Sequence, residues 1–198
     1  MLAYKAFVWK NGTLQTKVDN KIYVMGTTYE WTKPLQLCAS GFHFCKEVAY
    51  IHDYYSLLDP STVLTQIEVI GKIVTDEKQE KFCTNKYKLI TYYSSTEPII
   101  LRDQTKVWYH KGRRHRDNDL PAIEWANGHK EWWKEGIRHR DNDLPAIEWT
   151  NGHKEWWKEG KQHRDNDLPA IEWANGVKEW WKEGKRRRDN DLPAIEYR

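Results

Sequence analysis

The sequence predicts a mainly β protein in two parts. A small α+β domain covers residues 1–103, and a solenoid-like stack of antiparallel β-hairpins covers residues 104–198. Three observations lead there. One block repeats almost four times at a 24-residue period from Lys106 onward, its register carried by Gly112, Gly136, Gly160 and Gly184. Each block holds an Asn-Gly pair between short runs of alternating side chains, the strongest local hairpin signal. Residues 1–103 show mixed β-type periodicity, no repeat and a single helix-like stripe. A fixed period of this length means stacked units that bury their apolar faces against neighbours.

In the N-terminal part, Tyr4–Trp9 reads as a strand ended by the Asn11-Gly12 turn. Lys21–Met25 and Thr27–Trp31 read as strands around Gly26, and Pro34 breaks the pattern. Cys38–Cys45 is a turn followed by a short strand. Val48, Ile51, Tyr55 and Leu58 form an apolar stripe that predicts a helix over 46–58, stopped by Asp59-Pro60. Val63–Ile70, Ile73-Val74, Tyr87–Tyr93 and Ile99–Leu101 are further strands, with Gly71 as a bulge and a charged loop over 76–81. One helix on an antiparallel sheet fits this order.

In the repeat, a two-residue turn at Asn127-Gly128 pairs Ala126 with His129, Trp125 with Lys130, Glu124 with Glu131, and Ile123 with Trp132. The like-charge pair is unfavourable, so arginines such as Arg116 and Arg140 are expected to sit on Trp faces and pair with these carboxylates. The predicted repeat core is Ile123, Trp125, Trp132 and Trp133, with Ile147, Trp149, Trp156, Trp157, Ile171, Trp173, Trp180 and Trp181 in the next copies. The predicted turns are Asn127-Gly128, Asn151-Gly152 and Asn175-Gly176. The connector RDNDLP carries Asx turn chemistry, with Pro121 fixing the backbone ahead of the strand. The final unit stops at Tyr197-Arg198 without its second strand, which leaves a sheet edge that a partner or a second copy could cover.

The array resembles the variant MORN repeat of the HRxDxPA type, found in proteins of phages and of large DNA viruses of amoebae. His115-Arg116-Asp117, Leu120-Pro121-Ala122, Trp125 and Asn127-Gly128, with their copies, carry the match. Leu120 stands where glycine is common. The resemblance implies a scaffold or binding surface and no activity. The N-terminal part resembles an uncharacterised domain often fused to repeat arrays in phage and large-virus proteins. Its anchors are Tyr4, Cys38, Gly41, Phe42, His43, Cys45, Tyr54, Tyr55, Glu68, Gly71 and Asn85.

Composition narrows the function classes. From Thr105 onward there are 20 Lys+Arg against 18 Asp+Glu, leaving 12 against 11 of the chain's 32 and 29 before it. Neither half has the basic surplus that a phosphate backbone attracts. No run of 18 apolar residues is present for a transmembrane helix. Three cysteines and no signal-peptide pattern point to a reducing compartment, either host cytoplasm or a virus particle.

Cys38, His43, Cys45 and Cys83 could supply four zinc ligands, but C-x4-H-x-C is not a standard spacing, and buried thiols account for the cysteines equally well. His43, Tyr54 and Glu68 loosely resemble the His, Tyr and Glu of ADP-ribosyltransferases, which makes an enzymatic or nucleotide-binding head the alternative reading. The Asp-Asn-Asp triplets lack a calcium-loop signature. His115, His139 and His163 recur at one position where the last copy has Arg187, which suits a hydrogen-bonding ladder better than imidazole chemistry. The sequence therefore predicts a non-catalytic structural protein without cofactors. Its expected partners are other proteins, viral structural proteins or further copies of itself.

Overall fold

The computed structural model describes residues 1–16, 21–37, 41–76 and 82–198. The protein is mainly β, with 41% strand and 3% helix. It divides into two compact units, residues 1–99 with 109–113, and residues 100–108 with 114–198.

In the first unit, β1 (Leu2–Lys10) and β2 (Thr13–Gln15) form a hairpin about Asn11-Gly12, whose φ angles of 51° and 75° are those of a type I′ turn. Next come β3 (Ile22–Tyr23), β4 (Thr28–Glu30) and β5 (Phe42–Phe44). After a helical turn the chain adds β6 (Thr62–Val69), β7 (Ile73–Thr75), β8 (Phe82–Thr84) and β9 (Lys86–Tyr92). One sheet has the order β3-β2-β1-β6-β9-β4, and a smaller one the order β5-β8-β7. Phe7, Tyr23, Tyr29, Phe42, Ile67, Tyr87 and Leu89 fill the core between them.

The stretch expected to form a helix over 46–58 gives only a 310 turn, Val48–Asp53, with Ile51 as its one buried residue. Its Glu47 N-cap makes no side-chain capping bond, so neither a cap nor a broad apolar face supports a longer helix. At Gly71 the expected bulge is present: the Ile70 and Gly71 N–H groups both donate to the Lys86 carbonyl, at 3.1 and 3.0 Å. A further ladder irregularity lies between Gln66 and Ile67. At Gly71 the backbone passes so close to Asn85 that a Cβ would stand 2.1 Å from its Oδ1.

Residues 109–113 are tied into this unit by hydrogen bonds with Leu57, Leu64, Tyr93, Ser94 and Ser95. Leu64 N–H donates to the Gly112 carbonyl at 2.9 Å, Gly112 N–H to Tyr93 O at 2.6 Å, and the Tyr109 hydroxyl to Leu57 O at 2.7 Å.

In the second unit, Lys106–Val107, Ile123–Glu124, Lys130–Glu131, Ile147–Glu148, Lys154–Glu155, Ile171–Glu172, Lys178–Glu179 and Ile195–Glu196 are successive neighbours in one antiparallel sheet. Each repeat adds two strands, and a small second hairpin follows, as in Trp133–Lys134 with Ile137–Arg138.

The hairpin register differs from the expected one by a residue. Ile123 faces Glu131 and Glu124 faces Lys130. The loop has three residues: Trp125 N–H donates to His129 O and Gly128 N–H to Trp125 O, both at 2.9 Å, with φ at +85° for Gly128 alone. This is a type I turn closed by a glycine bulge. The shift removes the Glu124–Glu131 clash and sets Glu against Lys. Asn151-Gly152 and Asn175-Gly176 repeat the geometry.

The true two-residue turns are Glu135-Gly136, Glu159-Gly160 and Glu183-Gly184, with φ near +50° at each Glu. A third turn, Asp117–Leu120, places both Asn118 and Asp119 at positive φ, which these side chains tolerate.

Two substitutions with opposite signs test this backbone reading. Gly128→Ala adds a Cβ 2.9 Å from Thr150 Cγ2 at positive φ and should cost about 1–2 kcal/mol in urea unfolding. Glu159→Asn relieves a left-handed glutamate at φ 50° and should raise stability by up to about 1 kcal/mol.

Candidate functional site: the joint between repeats

Each repeat is fastened to the next by one arginine. The Arg140 guanidinium lies 3.8 Å over the Trp132 ring. Its Nε and Nη2 donate to both carboxylate oxygens of Asp119 in the preceding connector, at 2.9–3.2 Å. Its Nη1 donates to Pro145 O at 3.1 Å and Glu148 Oε1 at 3.0 Å. The planar fork is thereby used on every side, which lysine could not reproduce. Arg164 makes the same set with Trp156, Asp143, Pro169 and Glu172. Arg188 repeats the stacking on Trp180 and reaches Asp167 and Glu196. The indole Nε1 of Trp132 donates to Asp119 O at 2.9 Å, and Trp156 and Trp180 do the same to Asp143 and Asp167.

Beside this clamp runs a histidine ladder. His115 Nε2 donates to Asp117 Oδ1 at 2.9 Å while its Nδ1 accepts Glu135 N–H, from the end of the same repeat, at 3.2 Å. His139 and His163 do the same with Asp141 and Glu159, and with Asp165 and Glu183. With Nδ1 accepting a backbone N–H, Nε2 is the nitrogen left to donate to the aspartate.

On the other face of the sheet, Glu131 gathers donors: Trp125 Nε1 at 3.0 Å, Trp133 Nε1 at 3.0 Å and Arg138 Nη2 at 2.9 Å. Arg138 also lies between the rings of Trp133 and Trp157 at 4.7 and 4.6 Å.

Of the predicted repeat core, Ile123, Trp132, Trp133, Ile147, Trp156, Ile171 and Trp180 are buried. Trp125, Trp149, Trp157 and Trp181 are half-buried. Trp173 is 42% exposed and is not core. Trp125, Trp149 and Trp173 flank the hairpin tips, where the rings of His129 and His153 lie against them.

Between the joints lie two equivalent grooves of about 260 Å³ each. One is lined by His139, Asn142, Leu144, Lys158 and Asp165 among others. Leu120, Leu144 and Leu168, one per repeat, are 44, 38 and 39% exposed. Asp165 accepts from both His163 and Lys158, and these bonds hold its carboxyl down at about 2.

The first unit uses its marked residues differently. His43 and Cys83 face each other across β5 and β8, and Cys45 bridges to Tyr4 with backbone bonds of 2.8 and 3.0 Å. Cys45 and Cys83 are both buried. Cys38 lies outside the described residues, and no cluster of three metal-ligating side chains occurs among the described residues. Gly41 leaves room for Cys83, whose Sγ would be 2.5 Å from a Cβ there. Asn85 Oδ1 accepts Lys72 N–H at 2.8 Å beside Gly71.

His43 is half-buried on β5, Tyr54 caps the 310 turn at 40% exposure, and Glu68 is exposed on β6 opposite Leu2 and Lys88. The three stand on three separate elements, and neither groove includes them.

The close approaches at Gly41 and Gly71 lie in a region that a family model also covers. Residues 1–101 match the model of a domain of unknown function, DUF7666. The chain belongs to the DUF7666 family. No curated protein and no solved structure matches it. Among the described residues of this DUF7666 protein no helix is long and apolar enough to cross a membrane.

Sequence reasoning missed Asp119 and its copies as clamp partners, Glu131 as a hub, and the turns at Glu135-Gly136. The first two depend on contacts across the stack. The third had a signal in the Lys-Glu-Gly step between Trp133 and Ile137.

Arg140→Lys and Asp119→Asn should each lower stability by about 1–3 kcal/mol. The double mutant should lose less than the sum, with coupling above about 0.5 kcal/mol in a double-mutant cycle. Asp165 is an acid whose folded pKa lies below its unfolded value. Its contribution is present above the ordinary carboxylate range and is lost as pH falls towards 2. Carboxyl-carbon NMR should place that midpoint near 2, and Lys158→Ala should raise it.

Proposed function

We propose that the protein is a non-catalytic scaffold whose repeat unit presents a protein-binding surface. The observation that carries this reading is the recurrence of one groove at successive joints, each with a half-exposed leucine beside polar side chains. The ionisable groups around it are engaged in holding the joint: Arg140 by Asp119 and Glu148, Asp165 by His163 and Lys158. A surface with balanced charge and periodic apolar points suits a protein partner better than a nucleic acid. The array is of the HRxDxPA MORN-variant kind, and the protein serves as a structural or assembly component of a virus particle, acting in the host cytoplasm or packaged in the virion.

Two variants test this. A chain lacking residues 137–160 should remain folded, because each repeat depends on its nearest neighbours. Loss of all structure would contradict the reading. Replacing Leu120, Leu144 and Leu168 together with Glu should leave Tm within a few degrees while abolishing retention of the proteins that the wild-type chain captures from its source cells. Equal retention by both chains would remove the groove as the binding surface. Turnover of NAD that disappears in Glu68→Ala would overturn the non-catalytic reading.

A further inference from the structure

The hairpin tips carry a row of flat rings. His129 lies between Trp125 and Trp149, with centroids 5.7 and 4.6 Å away and ring planes within 5° and 13° of parallel. His153 takes the corresponding position one repeat on, 4.2 Å from both Trp149 and Trp173, but its ring is inclined to theirs by 60° and 78°. Val177 takes that place in the third copy. Unlike His115 and its copies, His129 and His153 leave their Nε2 atoms buried without a hydrogen-bond partner.

We propose that this Trp–His row is an acid-sensitive clasp between successive repeats: a neutral His129 seats between the two indoles, and its protonation loosens the hairpin tips. The clasp concerns how firmly the repeats hold together and does not depend on what the array binds.

The charged and titratable groups facing His129 come from three places. Glu131 lies on its own hairpin, with Oε1 4.0 Å from the imidazole Nε2, Arg138 lies on the hairpin that follows, and Glu155 and His153 come from the next repeat. The carboxylates favour a charged ring, while Arg138 and His153 oppose it. Glu131 offers little, since Trp125, Trp133 and Arg138 already hold both its oxygens. Removal from water is the largest influence and lowers the pKa of His129 below 6.5.

A histidine whose folded pKa is depressed contributes its full stability above the unfolded pKa of 6.5. That stability is lost as pH falls below this value, with a limit of about tenfold in the unfolding constant per pH unit for one proton. Val177 stands at the corresponding position of the third copy, an apolar side chain that cannot titrate.

Urea unfolding of the full chain at pH values from 7.5 to 5 tests the proposal. Wild type should lose stability on acidification more steeply than His129→Val, by up to about tenfold in the unfolding constant per pH unit. Val177→His should steepen the profile. Parallel profiles for wild type and His129→Val would overturn it. If His129→Val does not fold at neutral pH, NMR titration of the His129 ring in the wild-type chain decides. A midpoint below 6.5 supports the clasp, and one at or above 6.5 overturns it.

Discussion

The guanidinium of Arg140, laid flat on Trp132 and gripped at its edge by Asp119, is the constraint on which the array depends. Each repeat alone is a pair of two-stranded hairpins with strands of only two residues, too short to be stable in water. Arg140 belongs to one repeat, and Trp132 and Asp119 to the one before it. The bond therefore exists only when repeats stack. Because Arg140 also reaches Pro145 O and Glu148, the same cation orients the next connector before the next strand begins.

The remaining parts of the joint fit around this clamp. The Asp117–Leu120 turn needs two residues at positive φ, and Asn118 and Asp119 supply them at low cost. That turn points the Asp119 carboxylate at Arg140 and its carbonyl at the Trp132 indole. Glu131 performs a similar task on the other face of the sheet, holding two indoles and one guanidinium. The tryptophans are thus held at their nitrogens as well as buried, which explains how a chain with mean hydropathy of −0.92 sustains the stack. The DUF7666 unit follows a different logic. Its core is a cluster of aromatic rings between two sheets, and its glycines and cysteines mark places where backbones approach closely.

The sequence by itself determined the mainly β class, the 24-residue repeat, the sites of the hairpin tips and the Arg-on-Trp stacking. These are legible because period, Asn-Gly pairs and aromatic–cation pairing are local or repeated signals. Register, the partners of each carboxylate and the true type I′ turns were decided only by the tertiary structure. Asn-Gly serves a two-residue turn and a three-residue loop alike, and the choice falls to the cross-strand partners, which set Glu124 against Lys130 rather than Glu131. The helix expected over 46–58 shows the same limit, since an apolar stripe without a cap or a broad surface to pack on yields one 310 turn. Trp132 and Trp173 look alike along the chain, yet one is buried under the next repeat's arginine and the other stands at an open hairpin tip. Burial depends on which neighbour covers a side chain, and that is a property of the stack.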